Sequence, residues 1–118
     1  EEMLPAACQG IVGIEIREGD SETARLFDPI HHTESGYVAA AERAALAVLD
    51  GSCHTPIGAH AMRDGGIMTL RVLVASGDGQ QVFRDEQSGP VESDADAARL
   101  GQVVGLRLKP RIPPDLLA

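Results

Sequence analysis

One run in the second half of the chain decides the fold class. From Ile67 to Ala75, Met68, Leu70, Val72 and Val74 alternate with Thr69, Arg71 and Leu73. A period of two belongs to a strand with one buried face. Turn chemistry bounds it on both sides, Asp64-Gly65-Gly66 before and Gly77-Asp78-Gly79 after. Gly- and Asp-rich turns between such runs are hairpin signals, so the strand has a neighbour on each side. Ile57 to Met62 is the first neighbour. Gln80 to about Glu86 is the third strand, short and polar, and therefore an edge.

Helical patterns flank this meander. Thr33 caps a helix predicted over Glu34 to Leu49. Its core stripe is Val38, Ala41, Ala45 and Leu49, joined by Tyr37, Ala44 and Val48. Glu42 and Arg43 fall outside the centre of that stripe and read as a solvent-exposed pair. Ser88-Gly89-Pro90 reads as a linker. Ser93 with Asp96 resembles a capping box, opening a last helix to about Leu108 with Ala97, Leu100, Val104 and Leu108 in line. Gly101 and Gly105 should weaken it by roughly 1 kcal/mol each relative to Ala. Pro110, Pro113 and Pro114 end it, and the tail is expected to fray. Helix, three antiparallel strands and helix make an α+β fold with the helices on one face of the sheet. Aromatic residues make up only 3% of the 118, so the core must come from Leu, Val, Ile and Ala.

Ahead of this unit, Gly10 to Arg17 reads as a strand, with Ile14 and Ile16 on one face and Glu15 and Arg17 on the other. Asp20 or Ser21 caps a short helix from Glu22 to about Phe27, stopped by Asp28-Pro29. His31-His32 reads as solvated or capping; adjacent helical residues point apart and make a poor metal pair.

A formal net charge of -8 argues against nucleic acid, whose binding needs clustered Lys and Arg. It argues equally against anionic membrane surfaces. The sequence reads as one with no signal peptide, and it contains no membrane-length apolar run. The two cysteines, Cys8 and Cys53, form no disulfide framework, and a reducing, cytoplasmic setting fits.

The chemistry concentrates in Asp50-Gly51-Ser52-Cys53-His54-Thr55-Pro56-Ile57-Gly58. Gly51 suits the left-handed residue that ends a helix. Pro56 pushes Thr55 toward extended backbone. Cys53 thus sits in a short constrained turn between helix and strand. It can be a buried small hydrophobe, or a nucleophile activated by His54 or a nearby positive charge. A metal site of Cys53, His54 and His60 matches no common zinc spacing.

Three ordered segments carry a resemblance. They are Leu4-Pro5-Ala6-Ala7-Cys8-Gln9-Gly10-Ile11-Val12-Gly13-Ile14-Glu15-Ile16-Arg17, Ala41-Glu42-Arg43-Ala44 following His31-His32-Thr33, and Gly51-Ser52-Cys53 with Pro56-Ile57-Gly58. Together they resemble the C-terminal part of the porphobilinogen deaminase (hydroxymethylbilane synthase) family. The family pattern has glycine where this chain has Cys8 and again where it has Ser52. The resemblance runs from about Met3 to the end, tightly to about Ala61 and loosely beyond.

It implies the following. Residues 1–19 are an interdomain connection whose strand joins a sheet of the preceding domains; without that sheet it is an unpaired edge. Residues 20–118 are the third, cofactor-attachment domain, and the chain, which begins at Glu1, lacks the first two. The enzyme joins four porphobilinogen units head to tail, with loss of ammonia, to give hydroxymethylbilane in haem biosynthesis. The chain grows on a dipyrromethane cofactor held by a thioether to Cys53. Arg17, Arg43 and Gln9 line the cleft that meets cofactor or substrate carboxylates. No metal is implied. Porphobilinogen, the growing oligopyrrole and the two missing domains are the partners, and the 118-residue chain alone is expected to be inactive. Two other classes compete. One is a non-catalytic α+β interaction domain that binds by strand addition. The other is a cysteine enzyme using Cys53 and His54.

Overall fold

The computed structural model describes residues 3–50 and 55–117. Its elements are α1 (Ser21–Phe27), a 3-10 turn (Asp28–Ile30), α2 (Thr33–Leu49), β1 (Ile57–Asp64), β2 (Ile67–Ala75), β3 (Val82–Pro90), α3 (Asp94–Leu108) and two further 3-10 turns (Lys109–Arg111, Pro114–Leu116). The three strands form one antiparallel sheet in the order β1-β2-β3. This is the expected α-β-β-β-α unit.

The alternation of β2 works as its sequence predicts. Met68, Leu70, Val72 and Val74 are buried, facing Ala41, Ala45 and Leu49 of α2 and Ala97, Leu100, Val104 and Leu108 of α3 in a single cluster. Ala59 and Ala61 of β1 complete that face. β3 is longer than expected, because Ser88-Gly89-Pro90 is no linker. These residues pair with Thr69, Met68 and Ile67, and the Thr69 and Ser88 hydroxyls meet at 2.7 Å. Pro90 is tolerated as the last residue of an edge strand, where a missing N–H breaks no interior ladder.

The two glycines of α3 also need a new reading. A Cβ on Gly101 would fall 2.2 Å from the Ala41 carbonyl oxygen and 2.8 Å from the Ala44 Cβ. One on Gly105 would fall 2.8 Å from the Val48 Cβ. Their cost in helix propensity is offset by bringing the backbones of α2 and α3 into contact. The tail is likewise held: Ile112 is buried, and Leu116 and Leu117 pack against the core.

Helix caps explain the boundaries. His32, not Thr33, caps α2, its Nδ1 accepting the Ser35 N–H at 3.2 Å. Asp20 caps α1, accepting from the Thr23 N–H and hydroxyl at 3.0 and 2.7 Å. Those bonds favour the ionised carboxylate and hold it below its ordinary range. At Ser93 the expected box is varied: the Ser93 Oγ accepts the Asp96 N–H at 3.1 Å, while Asp96 reaches back to the Glu92 N–H at 3.0 Å.

At the far end of β1, Arg63 acts as a clamp. It donates to the Val91 carbonyl at 2.8 Å, pairs with Glu34 and pairs with Glu92 at 3.1 Å. Its guanidinium lies 5.3 Å from the centre of the Tyr37 ring, and the Tyr37 hydroxyl donates to the Glu92 carbonyl at 3.0 Å.

The expected strand over residues 10–17 does not form. Residues 11–17 pair with no described strand, and Val12, Ile14 and Ile16 are exposed. A strand needs a partner for its N–H and C=O groups, and none among the described residues lies alongside.

Candidate functional site

Cys53 lies outside the described residues, as do Gly51, Ser52 and His54. Two stems lead to it. On the α2 side, Asp50 takes the left-handed conformation (φ 54°, ψ 40°), with its N–H on the Leu46 carbonyl at 3.0 Å. That is the conformation expected of Gly51; aspartate is among the few other residues that adopt it readily. On the β1 side, the Ile57 N–H donates to the Thr55 carbonyl at 2.8 Å, and the Ala75 N–H of β2 donates to the Pro56 carbonyl at 3.0 Å.

The three sequence motifs meet on these stems. Leu4-Pro5 lies against the start of β1. The Ala59 N–H donates to the Pro5 carbonyl at 2.9 Å, and a Cβ on Gly58 would lie 3.0 Å from both the Leu4 Cβ and the Leu4 carbonyl oxygen. Gly58 is therefore small because the lead crosses directly over it. Further along, the Gln9 N–H donates to Ala6 and the Ile11 N–H to Cys8, at 3.2 and 3.1 Å. Within these turns Cys8 stands at φ 62°, left-handed backbone that glycine adopts without strain. The departure from glycine at position 8 thus carries a conformational cost, about 1–2 kcal/mol for an L residue.

Glu42 joins the three segments. Its carboxylate accepts the Cys8 N–H at 2.7 Å on one oxygen and the Ala61 N–H at 3.0 Å on the other. It is 3% exposed, so the expected solvent-exposed pair with Arg43 is wrong for Glu42; Arg43 itself is exposed. Helical geometry gives the reason. At about 100° per residue, the arc from Ala41 through Ala45 and Leu49 ends at Glu42, whereas Arg43 lies a further 100° round. Burial of a carboxylate is tolerated because two backbone donors satisfy it. The signal available in sequence was this position at the margin of the stripe, four residues after Val38 and three before Ala45.

The Cys8 thiol lies beside this carboxylate, 3.9 Å from the Ala39 carbonyl oxygen. Burial pushes its pKa above the ordinary value, the Glu42 charge adds to the rise, and Arg43 partly offsets it.

The expected cleft residues are not gathered into one cavity. Gln9 is exposed and lines a cavity of about 490 Å³ with Glu42, His60 and Arg63. Arg43 lines a different one, about 600 Å³, along α2 and α3 with Asp94. Arg17 is exposed in the unpaired lead. Neither Arg17 nor Arg43 forms an ion pair with a described residue, in contrast to Arg63, Arg71, Arg99 and Arg107. Among the described residues no cluster of three or more His, Cys, Asp or Glu could hold a metal ion, and no helix is long and apolar enough to cross a membrane.

The chain is similar in sequence to known proteins. The family model described as porphobilinogen deaminase, C-terminal domain, matches residues 37–110. A protein named porphobilinogen deaminase from Syntrophobacter fumaroxidans is 41% identical over 91% of this chain and 34% of its own length. One from Paracoccus denitrificans is 42% identical over 98% of the chain and 36% of its own length. A chloroplastic one from Oryza sativa subsp. japonica is 38% identical over 97% and 32%. The chain thus spans about a third of the length of these relatives.

Proposed function

Because this chain belongs to the porphobilinogen deaminase family through that family's C-terminal domain, we propose that it is the part of such an enzyme that carries the cofactor. Residues 1–19 are the connection to the preceding domains and residues 20–118 the cofactor-attachment domain. Cys53 anchors a dipyrromethane through a thioether. The parent enzyme condenses four porphobilinogen units, with release of ammonia, to hydroxymethylbilane in haem biosynthesis. The observation that carries this is the packing of Leu4-Pro5, Cys8, Glu42 and Gly58 against one another on the stems that lead to Cys53.

The donor set suits such a group. A dipyrromethane bears several carboxylates. Arg17 and Arg43 are arginines uncommitted to any described acid, and a guanidinium fork pairs well with a carboxylate. When bound, the group supplies the terminal pyrrole to which each new unit is joined. The chain's own residues hold and orient. A thioether at Cys53 survives every cycle, where a disulfide would exchange. Arg17, Arg43 and Gln9 would meet carboxylates of the cofactor or of the growing chain. Glu42 holds backbone: each of its oxygens accepts a backbone N–H. The proton-handling carboxylate belongs to the preceding domains, so the 118-residue chain is expected to release no ammonia from porphobilinogen. A reducing, cytoplasmic setting keeps Cys53 available for the thioether.

The test is intact mass of the full-length parent protein with peptide mapping of Cys53. An added dipyrromethane on the Cys53 peptide is the expected result. An unmodified Cys53 that alkylates freely in the full-length protein overturns the anchor assignment. Turnover by the purified 118-residue chain overturns the assignment of proton transfer to the preceding domains.

The strand-addition alternative has less support, because both sheet edges carry other partners. At β1 the Ala59 and Ala61 N–H groups are taken by Pro5 and Glu42. At β3 the Arg84 and Glu86 carbonyls accept from Arg111 at 3.0 Å and Arg107 at 3.1 Å.

A further inference from the structure

Glu42 is a charged group held in the interior at the junction of three segments, and the anchoring role of Cys53 makes no use of it. Its two oxygens serve different segments. One takes the amide of Cys8 in the lead, and the other takes the amide of Ala61 in β1. Its own helix, α2, ends at Leu49 and forms the first stem of the Cys53 segment; β1 begins at Ile57 and forms the second. The carboxylate therefore ties stem to stem, and both to the lead. At the start of β1 two of these segments touch again, where Leu4 and Pro5 cross Gly58 and Pro5 accepts the Ala59 N–H. The left-handed turn at Cys8 belongs to this arrangement: an L residue stays in that conformation only where its surroundings over-determine it, and the 2.7 Å bond from its N–H to Glu42 is one such determinant.

We propose that Glu42 is a latch that locks residues 4–9 and the two stems of the Cys53 segment into one body. It is a positioning residue that acts through Cys8 and Ala61. The proposal rests on the assignment of Cys53 as the anchor only for its consequence: where the lead connects to preceding domains, the latch sets the placement of the anchor relative to them. The latch itself stands on the hydrogen bonds and is testable without any cofactor.

The conservative change Glu42→Gln removes one acceptor, since an amide offers a single carbonyl oxygen and turns a donor toward the second N–H. The experiment is amide hydrogen exchange, resolved by residue, on the 118-residue chain and on the full-length parent. The latch predicts that exchange at the Cys8, Gln9, Ala59 and Ala61 amides rises about ten- to hundredfold, well beyond any rise at Leu70, Val72 and Val104 in the core. An equal rise at all these amides identifies Glu42 as a general stabiliser and overturns the proposal, as does no rise at Cys8 and Ala61. Should Glu42→Gln fail to fold, Glu42→Asp supplies the same test with a carboxylate too short to span both donors. Mass mapping of Cys53 is read separately, so a free Cys53 defeats the anchor assignment and leaves the latch standing, whereas uniform exchange defeats the latch alone.

Discussion

At β1, the outer edge of the sheet is closed by main chain and by a buried carboxylate. The Ala59 N–H goes to the Pro5 carbonyl and the Ala61 N–H to Glu42, which is 3% exposed. At β3 the corresponding groups are closed by exposed side chains. Arg107 pairs with Asp85 at 2.9 Å, reaches Gln87 at 2.8 Å and covers the Glu86 carbonyl, while Arg111 covers that of Arg84. Both devices remove the template that an open edge presents to other chains. They differ in what they commit. A buried carboxylate cannot let go without leaving donors unsatisfied, whereas a solvated arginine can trade its carbonyl for water. The edge beside the Cys53 stems is therefore fixed, and the opposite edge is merely shielded.

The sharpest way to break this contrast is Glu42→Ala. It leaves the buried Ala61 N–H and the half-buried Cys8 N–H without an acceptor, and unfolding in urea should show a loss of about 3 kcal/mol. A loss below about 1 kcal/mol would put the two edges on the same footing.

Cys8 tests the fixed edge more finely. Cys8→Gly relieves left-handed strain of about 1–2 kcal/mol and returns part of it as extra freedom in the unfolded chain, for a net gain of about 0.5 kcal/mol. A net loss would show that the thiol, not the backbone, matters there. The same thiol gives a pH readout. Its pKa is raised in the folded chain, so the neutral form is favoured by folding. Its contribution to stability is complete below the unfolded thiol pKa and is lost as pH rises through the folded one. Alkylation of Cys8 at neutral pH should accordingly be slower than that of an unfolded thiol, and should keep accelerating above the ordinary thiol range. Rates equal to those of the denatured chain would contradict it.

Arg107→Ala gives the smallest effect. It removes an exposed ion pair and one carbonyl contact, and the loss should stay within about 0.5–1 kcal/mol and shrink with added salt. A loss matching that of Glu42→Ala would make the β3 edge equally committed.

Much of the body was legible because its signals are local. The alternation of Ile67 to Ala75 needs only a period and two turns, and the stripe of α3 only a helical repeat. Contacts between distant segments are harder to read. Glu42 is buried by donors from residues 8 and 61, which no window around position 42 contains. Gly101 and Gly105 look like weak points until α2 is laid against them; their spacing of four on the buried stripe, facing Ala41, Ala44 and Ala45, was the available clue. Ser88-Gly89-Pro90 has linker composition and became strand because β2 continued opposite it. Residues 10–17 have strand composition and, among the described residues, no partner to pair with. The motifs that pointed to Cys53 were legible as an ordered set, and their meeting on the stems adds a physical reason for Gly58 and Glu42, whereas Arg17, Arg43 and Gln9 do not share a cavity.

The Arg63 clamp has an optical consequence. The chain contains one tyrosine and no tryptophan. Its tyrosine absorption and emission therefore come from Tyr37 alone, seated beside the Arg63 guanidinium and hydrogen-bonded to the Glu92 carbonyl. That signal watches one place, where the start of α2, the end of β1 and the entry to α3 are joined. Ellipticity in the far ultraviolet watches all the helices at once. A melt followed by both, on one sample and without any label, distinguishes a domain that opens first at this corner from one that comes apart in a single step.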